Sequence, residues 1–335
     1  RLCDAAGLPA NSELVAFLTV RTLGWAAGLV LLLERARTKQ PVNWAFSSAQ
    51  SQETVFNYFA AEIFELADPQ IQRVLLSLAY LPQITQRMAT EISREPDAGV
   101  IVDNLLHKHF FIDKRTGNED VYQFHALFRE FLIRKTQTAY SANDLTQLRT
   151  ASAALLEKNG EYDAAAKLFG EVGAFTEIER IVSSQASQLL AQGHTHTLAR
   201  WIRLLPDEFL AARPMLLYWL GRSELFVDPL EARQVLQQAH GGFVSDGQIS
   251  GQAMATADIL LSYFIEWRSF EGIDPWIERQ EKLLGDHGDE LPLRVQAATW
   301  TGLLSSLTYR QLRRWSRLKS RRRCGSSRSG AGRCW

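Results

Sequence analysis

His125 is the residue whose type and position best suit ligand chemistry. It follows the run 121–124, which reads Val-Tyr-Gln-Phe, and opens a segment whose apolar residues recur at helical spacing. Free N–H groups in the first turn of a helix and a protonated imidazole both attract anions, so this position suits a phosphate group. The alternative is a histidine that only caps or packs at the strand-to-helix junction. Arg129 and Arg134 lie further along the same helix, where we expect both to face solvent.

Other groupings of reactive residues do not fit catalysis or metal binding. The chain contains two pairs of histidines, His107 with His109 and His194 with His196. Within each pair, one residue separates the two histidines. On a helix such neighbours point about 200° apart, and no cysteine or carboxylate cluster completes either pair, so we expect no metal site. Serine, histidine and aspartate, or paired carboxylates, stand in no recognisable catalytic spacing. The sequence therefore predicts no catalytic residue and no bound cofactor in this chain.

Gly24, Trp25 and Gly28 form a compact motif near the start of the chain. Two glycines four residues apart lie on one face of a helix, where they let a neighbouring helix approach closely. Trp25 then fills the adjoining core. The residues alone favour a packing role for this motif.

The elements around His125 predict a winged helix with a small β-hairpin. Helical spacing covers Gln52–Ala67, Ile71–Leu81, Thr85–Ser93 and Ala98–His109. The period then changes from 3.6 to 2, with a polar turn at 116–120 between two short apolar runs, before the helix at His125. The helix at 98–109 carries one Lys and one Asp, whereas a recognition helix presents several basic or amide side chains. We therefore expect this helix to pack in the core and not to read DNA.

From about residue 143 the pattern is helical throughout, in hairpins that recur every 35 to 45 residues. This spacing predicts an α-solenoid of tetratricopeptide-like hairpins, in which each hairpin buries its apolar face against its neighbours. The predicted hairpins are Leu145–Asn159 with Tyr162–Gly170, Ala174–Ala191 with Thr195–Leu205, Pro214–Phe226 with Leu230–His240, and Ala253–Phe270 with Pro275–Leu284, and Arg294–Tyr309 starts a fifth. We expect most aromatic residues of these repeats to be buried. Any concave surface that remains suits a small-molecule effector or a protein partner.

Composition sets limits on the class of protein. The chain has 335 residues, of which 46% are hydrophobic and 22% charged, and only three cysteines. These values exclude disordered, collagen-like and disulfide-scaffold classes. The longest apolar run, Trp25–Leu33, is far shorter than the roughly 20 residues that cross a bilayer, and no export signal precedes it. We therefore expect a cytoplasmic protein without membrane contact.

Charge is distributed unevenly along the chain. Residues 310–335 contain nine Arg, one Lys and no acidic residue, so residues 1–309 carry 27 basic and 37 acidic groups, a net charge of −10. An acidic body is a poor surface for nucleic acid. Three interpretations of the tail stay open: an off-frame or decayed gene end, an arginine-rich nucleic-acid arm, or a solvated tail without a role. We expect it to be unfolded, and the initial Arg1 suggests a piece of a longer protein.

Two stretches resemble a known family. They are residues 22–29, which read Thr-Leu-Gly-Trp-Ala-Ala-Gly-Leu, and residues 122–132, which read Tyr-Gln-Phe-His-Ala-Leu-Phe-Arg-Glu-Phe-Leu. Together with the order of the elements, they resemble MalT-like (LuxR-type) bacterial transcriptional regulators, which are signal-transduction ATPases of the STAND class. The resemblance covers about residues 10 to 300. Leu23 departs from the glutamate that is usual in the family.

The resemblance implies an architecture and a function. It implies the end of a helical subdomain at 1–40, a winged helix at 41–140, a helical-repeat sensor at 141–309 and the basic tail at 310–335. A full-length parent would bind and hydrolyse ATP, but the P-loop pattern does not occur in this chain. DNA would be bound only through a further domain. By resemblance, His125 senses the bound ADP, and Gly24, Trp25 and Gly28 close over the nucleotide. The alternative is a stand-alone tetratricopeptide-like scaffold for protein partners.

Overall fold

Helices dominate the structure, which is a computed structural model. It describes residues 60–61, 64–107, 111–117, 119–300, 302–304, 306, 308–309 and 311. The motif of Gly24, Trp25 and Gly28, most of the predicted helix at 52–67 and the tail beyond residue 311 lie outside these residues. The chain divides into two compact units, Arg1–Leu168 and Phe169–Trp335.

The first unit contains a winged helix whose elements follow the predicted order. They are α1 Pro69–Leu78, β1 Ile84–Thr85, α2 Gln86–Ser93, α3 Ala98–His107, β2 Ile112–Arg115, β3 Val121–Phe124 and α4 Ala126–Ala139. The strands form an antiparallel sheet in the order β1-β3-β2. Its β2–β3 pair is the predicted hairpin, with Ile112 opposite Phe124 and Arg115 opposite Val121. The sequence analysis missed β1, because two residues are too few to show a period of two.

Capping and burial explain where these elements begin and how they pack. Thr85 caps α2, since its Oγ1 accepts a 3.2 Å hydrogen bond from the backbone N–H of Met88. In β3 the alternate residues Tyr122 and Phe124 are buried, as the period of a strand requires. The mostly α-helical fold with a small β-hairpin is confirmed.

α3 turns one face to the core of the winged helix. Ala98, Val102 and Leu105 are buried, whereas the Val100 side chain is 61% exposed. Asn104 is exposed as well. The prediction that α3 packs in the core therefore holds for one face only. Its outer face is largely uncharged.

The rest of the described chain folds into helical hairpins, as predicted. Its helices are α5 Ala142–Lys158, α6 Tyr162–Glu171, α7 Phe175–Ala191, α8 Thr195–Ile202, α9 Asp207–Ala211, α10 Pro214–Glu224, α11 Pro229–Ser245, α12 Ile249–Glu266 and α13 Asp274–His287, followed by a 3-10 turn at Gly288–Glu290. Residues 293–300 are again helical. The five-residue α9 was not predicted. Its single turn is too short for a helical period to appear in the sequence.

Four helices end in the same left-handed glycine turn. At the end of α7, Gly193 has a φ of 76°, and the N–H of His194 donates a 2.8 Å hydrogen bond to the carbonyl of Leu189. At the end of α5, Gly160 has a φ of 80°, and the next N–H bonds to the carbonyl of Leu156. This is the Schellman arrangement, and glycine adopts its positive φ without strain. Gly173 after α6 and Gly247 after α11 close their helices through the same pair of bonds.

The aromatic residues of the repeats are less uniformly buried than expected. Trp201, Tyr218, Tyr263 and Trp276 are buried, as expected. Three are exposed instead, with Phe226 at 71%, Trp267 at 63% and Trp300 at 52%. The expectation was wrong for these three because no helix among the described residues covers the turn or outer helix face on which each one lies.

Candidate functional site

His125 lies where the sequence predicted, between β3 and α4. It is the N-cap residue of α4, with φ −53° and ψ 139°, and its side chain makes no capping hydrogen bond. Its backbone N–H donates a 2.8 Å hydrogen bond to the carbonyl of Phe111. The residue is exposed. The imidazole therefore stands at the first turn of α4. The leading N–H groups of this turn have no acceptor within the same helix.

Aromatic residues fix this junction from the inside. Phe124 and Phe128 flank His125 in the sequence, and their rings meet edge to face at 5.7 Å. Phe128 also contacts the ring of Phe111 at 5.5 Å and stacks on Phe131 at 6.1 Å. Phe128 is fully buried. Phe124 and Phe128 thus hold the wing against α4, and His125 between them lies at the surface.

Phe111 has an unusual backbone conformation at this junction. Its φ is 52°, in the left-handed region, which a residue with a side chain occupies at a cost of about 1 to 3 kcal/mol. Its carbonyl accepts the His125 N–H, and its ring packs on Phe128. The hydrogen bond and the ring contact offset the strain, so the backbone leading into His125 is tightly specified.

Arg129 is not the solvent-facing residue that we expected from its position. Its Nε and Nη2 donate 3.1 Å hydrogen bonds to the carbonyls of Ala79 and Tyr80, which follow the end of α1. The guanidinium satisfies carbonyls that have no partner within their own helix and lies at the negative end of the helix dipole. The expectation was wrong because the sequence does not show that the end of α1 lies against α4.

Tyr80 is a meeting point of three elements. Its hydroxyl lies 3.1 Å from the Oγ1 of Thr136 on α4, and both residues are buried. Its ring lies 5.2 Å from the guanidinium carbon of Arg149 on α5. Its carbonyl accepts from Arg129. Tyr80 is thereby joined to α4 twice and to α5 once.

A second polar network ties the wing to α3. The Tyr122 hydroxyl donates a 2.7 Å hydrogen bond to Oδ1 of Asp103, which also accepts from Lys114 Nζ at 3.1 Å. Lys114 reaches Asp120 at 2.9 Å. Asp120 and Asp103 raise the pKa of Lys114, whereas burial, followed by the Asp103 hydrogen bond, raises the pKa of Tyr122. Lys114 thus stays protonated and Tyr122 neutral at physiological pH, which favours a structural role for this network.

In the second unit, buried acids pair with arginines on other helices. Asp258 on α12 accepts a 2.6 Å hydrogen bond from Arg222 on α10. Arg233 on α11 donates to Ser262 at 2.8 Å and lies 3.5 Å from the centre of the Tyr263 ring. Arg233 also forms an ion pair with Glu266. These contacts join α10 and α11 to α12 at defined positions, which sequence periodicity alone does not reveal.

The structure shows no clustering of metal ligands in the part of the chain that it describes. Within that part, no three of His, Cys, Asp or Glu lie close enough to hold a metal ion. His194 is the N-cap residue of α8, and His109 lies outside the described residues. No helix in the same part is long and apolar enough to cross a membrane.

Comparison with known proteins agrees with this architecture. The family model of the MalT winged helix domain matches residues 60–144. HTH-type transcriptional regulator MalT of Vibrio parahaemolyticus is 24% identical over 214 residues, which are 60% of this chain and 23% of that protein. MalT of Vibrio cholerae is 24% identical over 213 residues, again 60% of this chain and 23% of the relative. The chain therefore spans about a quarter of the length of these MalT relatives.

A protein kinase and a solved structure were also found in the comparisons. The serine/threonine-protein kinase PknK of Mycobacterium tuberculosis is 22% identical over 216 residues, 64% of this chain and 19% of the kinase. A solved structure from Pyrococcus horikoshii, a STAND protein with a tetratricopeptide repeat sensor, aligns with 94% of this chain and 58% of its own. Its sequence identity is 14% and its TM-score 0.32. Residues 60–144 thus match the MalT winged helix domain, and 60% of the chain is similar in sequence to the MalT regulators.

Proposed function

We propose that this chain is a segment of a signal-responsive transcriptional regulator, in which the helical repeats bind an effector or partner and the winged helix relays that event to a nucleotide switch. One observation carries the proposal. α4, whose N-cap residue is His125, is separated from α5 by only Tyr140 and Ser141. With so short a connection, a displacement of the first repeat helix acts directly on the helix that His125 precedes.

Contacts along α5 support this relay. Lys158 near its end forms an ion pair with Glu91 on α2 at 2.8 Å, and Arg149 in its middle contacts Tyr80. The first repeat helix is therefore packed against the winged helix at two separated points. In this proposal, His125 lies beside ADP held by a P-loop domain, and the motif of Gly24, Trp25 and Gly28 closes over the nucleotide.

In this proposal, the parent protein binds ATP and ADP. It binds DNA through a domain outside this chain. The proposed domain boundaries are those of the sequence analysis: 1–40, 41–140, 141–309 and 310–335. A transcriptional regulator acts on the chromosome, so we place the protein in the cytoplasm. Reading the genomic DNA upstream of the codon for Arg1 tests the proposal. A continuous frame that encodes a P-loop supports it, whereas a stop with no P-loop in any frame contradicts it.

A second candidate is a tetratricopeptide-like scaffold for protein partners. The observation that favours it is a group of exposed apolar residues at two turns of the repeats. Phe226, Val227 and Leu230 are 71%, 57% and 51% exposed near the α10–α11 turn, and Trp267 ends α12. Thermal-shift screening distinguishes the candidates. A small ligand that raises the melting temperature supports the sensor, whereas stoichiometric capture of one protein, without any stabilising small ligand, supports the scaffold.

A further inference from the structure

The strongest unassigned feature is the set of contacts around Tyr80, which we call the Tyr80 junction: Tyr80, Arg129, Thr136 and Arg149. Each contact uses a different part of Tyr80. The carbonyl accepts from Arg129, the hydroxyl bonds with Thr136, and the face of the ring meets Arg149. Tyr80 is only 3% exposed and Thr136 is fully buried, so the bond between their hydroxyls is shielded from water.

Arg149 depends on this junction more than a surface arginine would. Its Nε is buried and has no hydrogen-bond partner among the described residues. A buried polar atom is costly unless a neighbouring group compensates for the lost water. The Tyr80 ring supplies that compensation, since the aromatic face carries negative charge density toward the cation. The position of α5 is therefore coupled to the position of Tyr80.

The same junction reaches His125 in one further step. The backbone N–H of Arg129 donates a 3.0 Å hydrogen bond to the carbonyl of His125, the first bond of α4. The side chain of Arg129 is held by the carbonyls of Ala79 and Tyr80. A shift of Tyr80 therefore displaces Arg129, whose N–H makes the first hydrogen bond of α4, next to the His125 ring.

We propose that Tyr80 is a positioning residue that couples the first repeat helix to the first turn of α4, through Arg149 on one side and Arg129 on the other. This inference deepens the proposed relay and rests on it for its biological meaning. The coupling itself is a property of residues 79–149 alone, so it is tested without nucleotide, effector or DNA.

The test measures hydrogen exchange of the Arg129 amide in the full 335-residue chain. Arg149→Met keeps the aliphatic contact of the side chain and removes the guanidinium from the Tyr80 ring. We expect the Arg129 amide to exchange at least about fivefold faster, the lower end of typical coupling between sites. Tyr80→Phe keeps the ring on Arg149 and loses only the Thr136 contact, so it produces a smaller change and serves as the second variant if Arg149→Met does not fold.

A matched control separates coupling from general loss of stability. Val102→Ala removes buried volume from α3, an element that contributes no residue to the Tyr80 junction. The two variants are compared at denaturant concentrations that give them the same free energy of unfolding. If α4 merely responds to lower stability, Val102→Ala accelerates exchange of the Arg129 amide as much as Arg149→Met does. That result, or an unchanged rate in both junction variants, overturns the proposal. Because no nucleotide is present, it would leave the proposed relay to be judged by the genomic test.

Discussion

The buried carboxylate of Asp258 on α12 lies 2.6 Å from the guanidinium of Arg222 on α10, which is one-third exposed. Burial raises the pKa of Asp258, and Arg222 acts in the opposite direction by stabilising the charged form. The pair therefore holds two helices of the repeats together only while both charges are present.

Removing Arg222 should destabilise the second unit. We expect Arg222→Leu to lower the free energy of unfolding by about 1.5 to 3 kcal/mol at pH 7, the usual worth of a hydrogen bond to a charged group. The penalty should shrink at lower pH, because protonated Asp258 no longer carries a buried charge. Urea unfolding at pH 7 and pH 5 measures both effects. Adding Asp258→Asn should recover part of the loss, and a double variant that is no more stable than Arg222→Leu would contradict this account.

Two adjacent glycines in α11 should respond oppositely to alanine. A Cβ atom at Gly242 would lie 2.4 Å from Cγ of Pro214, whereas a Cβ atom at Gly241 would meet nothing within 4 Å. We expect Gly242→Ala to destabilise by about 1 to 3 kcal/mol through overpacking. Gly241→Ala should stabilise by about 0.5 to 1 kcal/mol, because alanine loses less backbone entropy in a helix. Thermal unfolding checks the pair, and equal effects at the two positions would show that α10 and α11 are not so closely packed.

His240 should make stability depend on mildly acidic pH. Its ring meets the Trp276 ring edge to face at 5.1 Å. Burial lowers the pKa of His240 from its usual 6.5, and the charge of Arg279 lowers it further. The neutral ring is therefore favoured in the folded state. Its contribution is fully present above pH 6.5 and is lost as the pH falls toward the folded pKa.

The measurement is the melting temperature between pH 7.5 and pH 5. His240→Phe keeps a ring against Trp276 and should flatten the pH dependence of the wild-type chain. His196→Phe, at an exposed position of α8, is the control and should retain the wild-type slope. Identical slopes for all three proteins would show that His240 does not titrate in this range.

In a parent protein that retains a P-loop domain, His125→Ala should weaken ADP retention. The loss of one hydrogen bond to a charged group, about 1.5 to 3 kcal/mol, corresponds to roughly 10- to 150-fold in the ratio of closed to open states. Basal activation should rise accordingly, because a contact made only in the closed state has been removed. ADP dissociation measured on the full-length protein decides the matter. Equal affinity in the variant and the wild type would leave His125 as a junction residue.

Much of the fold was predictable because it follows from local patterns. The period of two at residues 121–124, the polar turn before it and the helical spacing after His125 are each set within about ten residues of sequence. The glycines at helix ends are equally local. The sequence also predicted that His125 lies at the boundary of β3 and α4, where the structure has it. The burial of Phe124 and Phe128 is expected from their residue type alone.

Long-range contacts were not predictable in the same way. Arg129 donates a hydrogen bond to the carbonyl of Tyr80, which lies 49 residues earlier in the sequence. Arg222 donates to Asp258, which lies 36 residues later. A single sequence shows an arginine in each case but not the carbonyl or carboxylate that it meets. The exposed Trp267 was misjudged for the related reason that burial depends on which neighbour lies above a turn.

The repeated glycine closure after α5, α6, α7 and α11 also bears on how such an array changes during evolution. Each of these turns is completed by backbone atoms and one glycine, and needs no particular side chain from elsewhere. Duplication of a hairpin therefore copies a segment that already contains its own ending. The core residues of a copied helix can then diverge without loss of its ending, because the closing bonds join backbone atoms only.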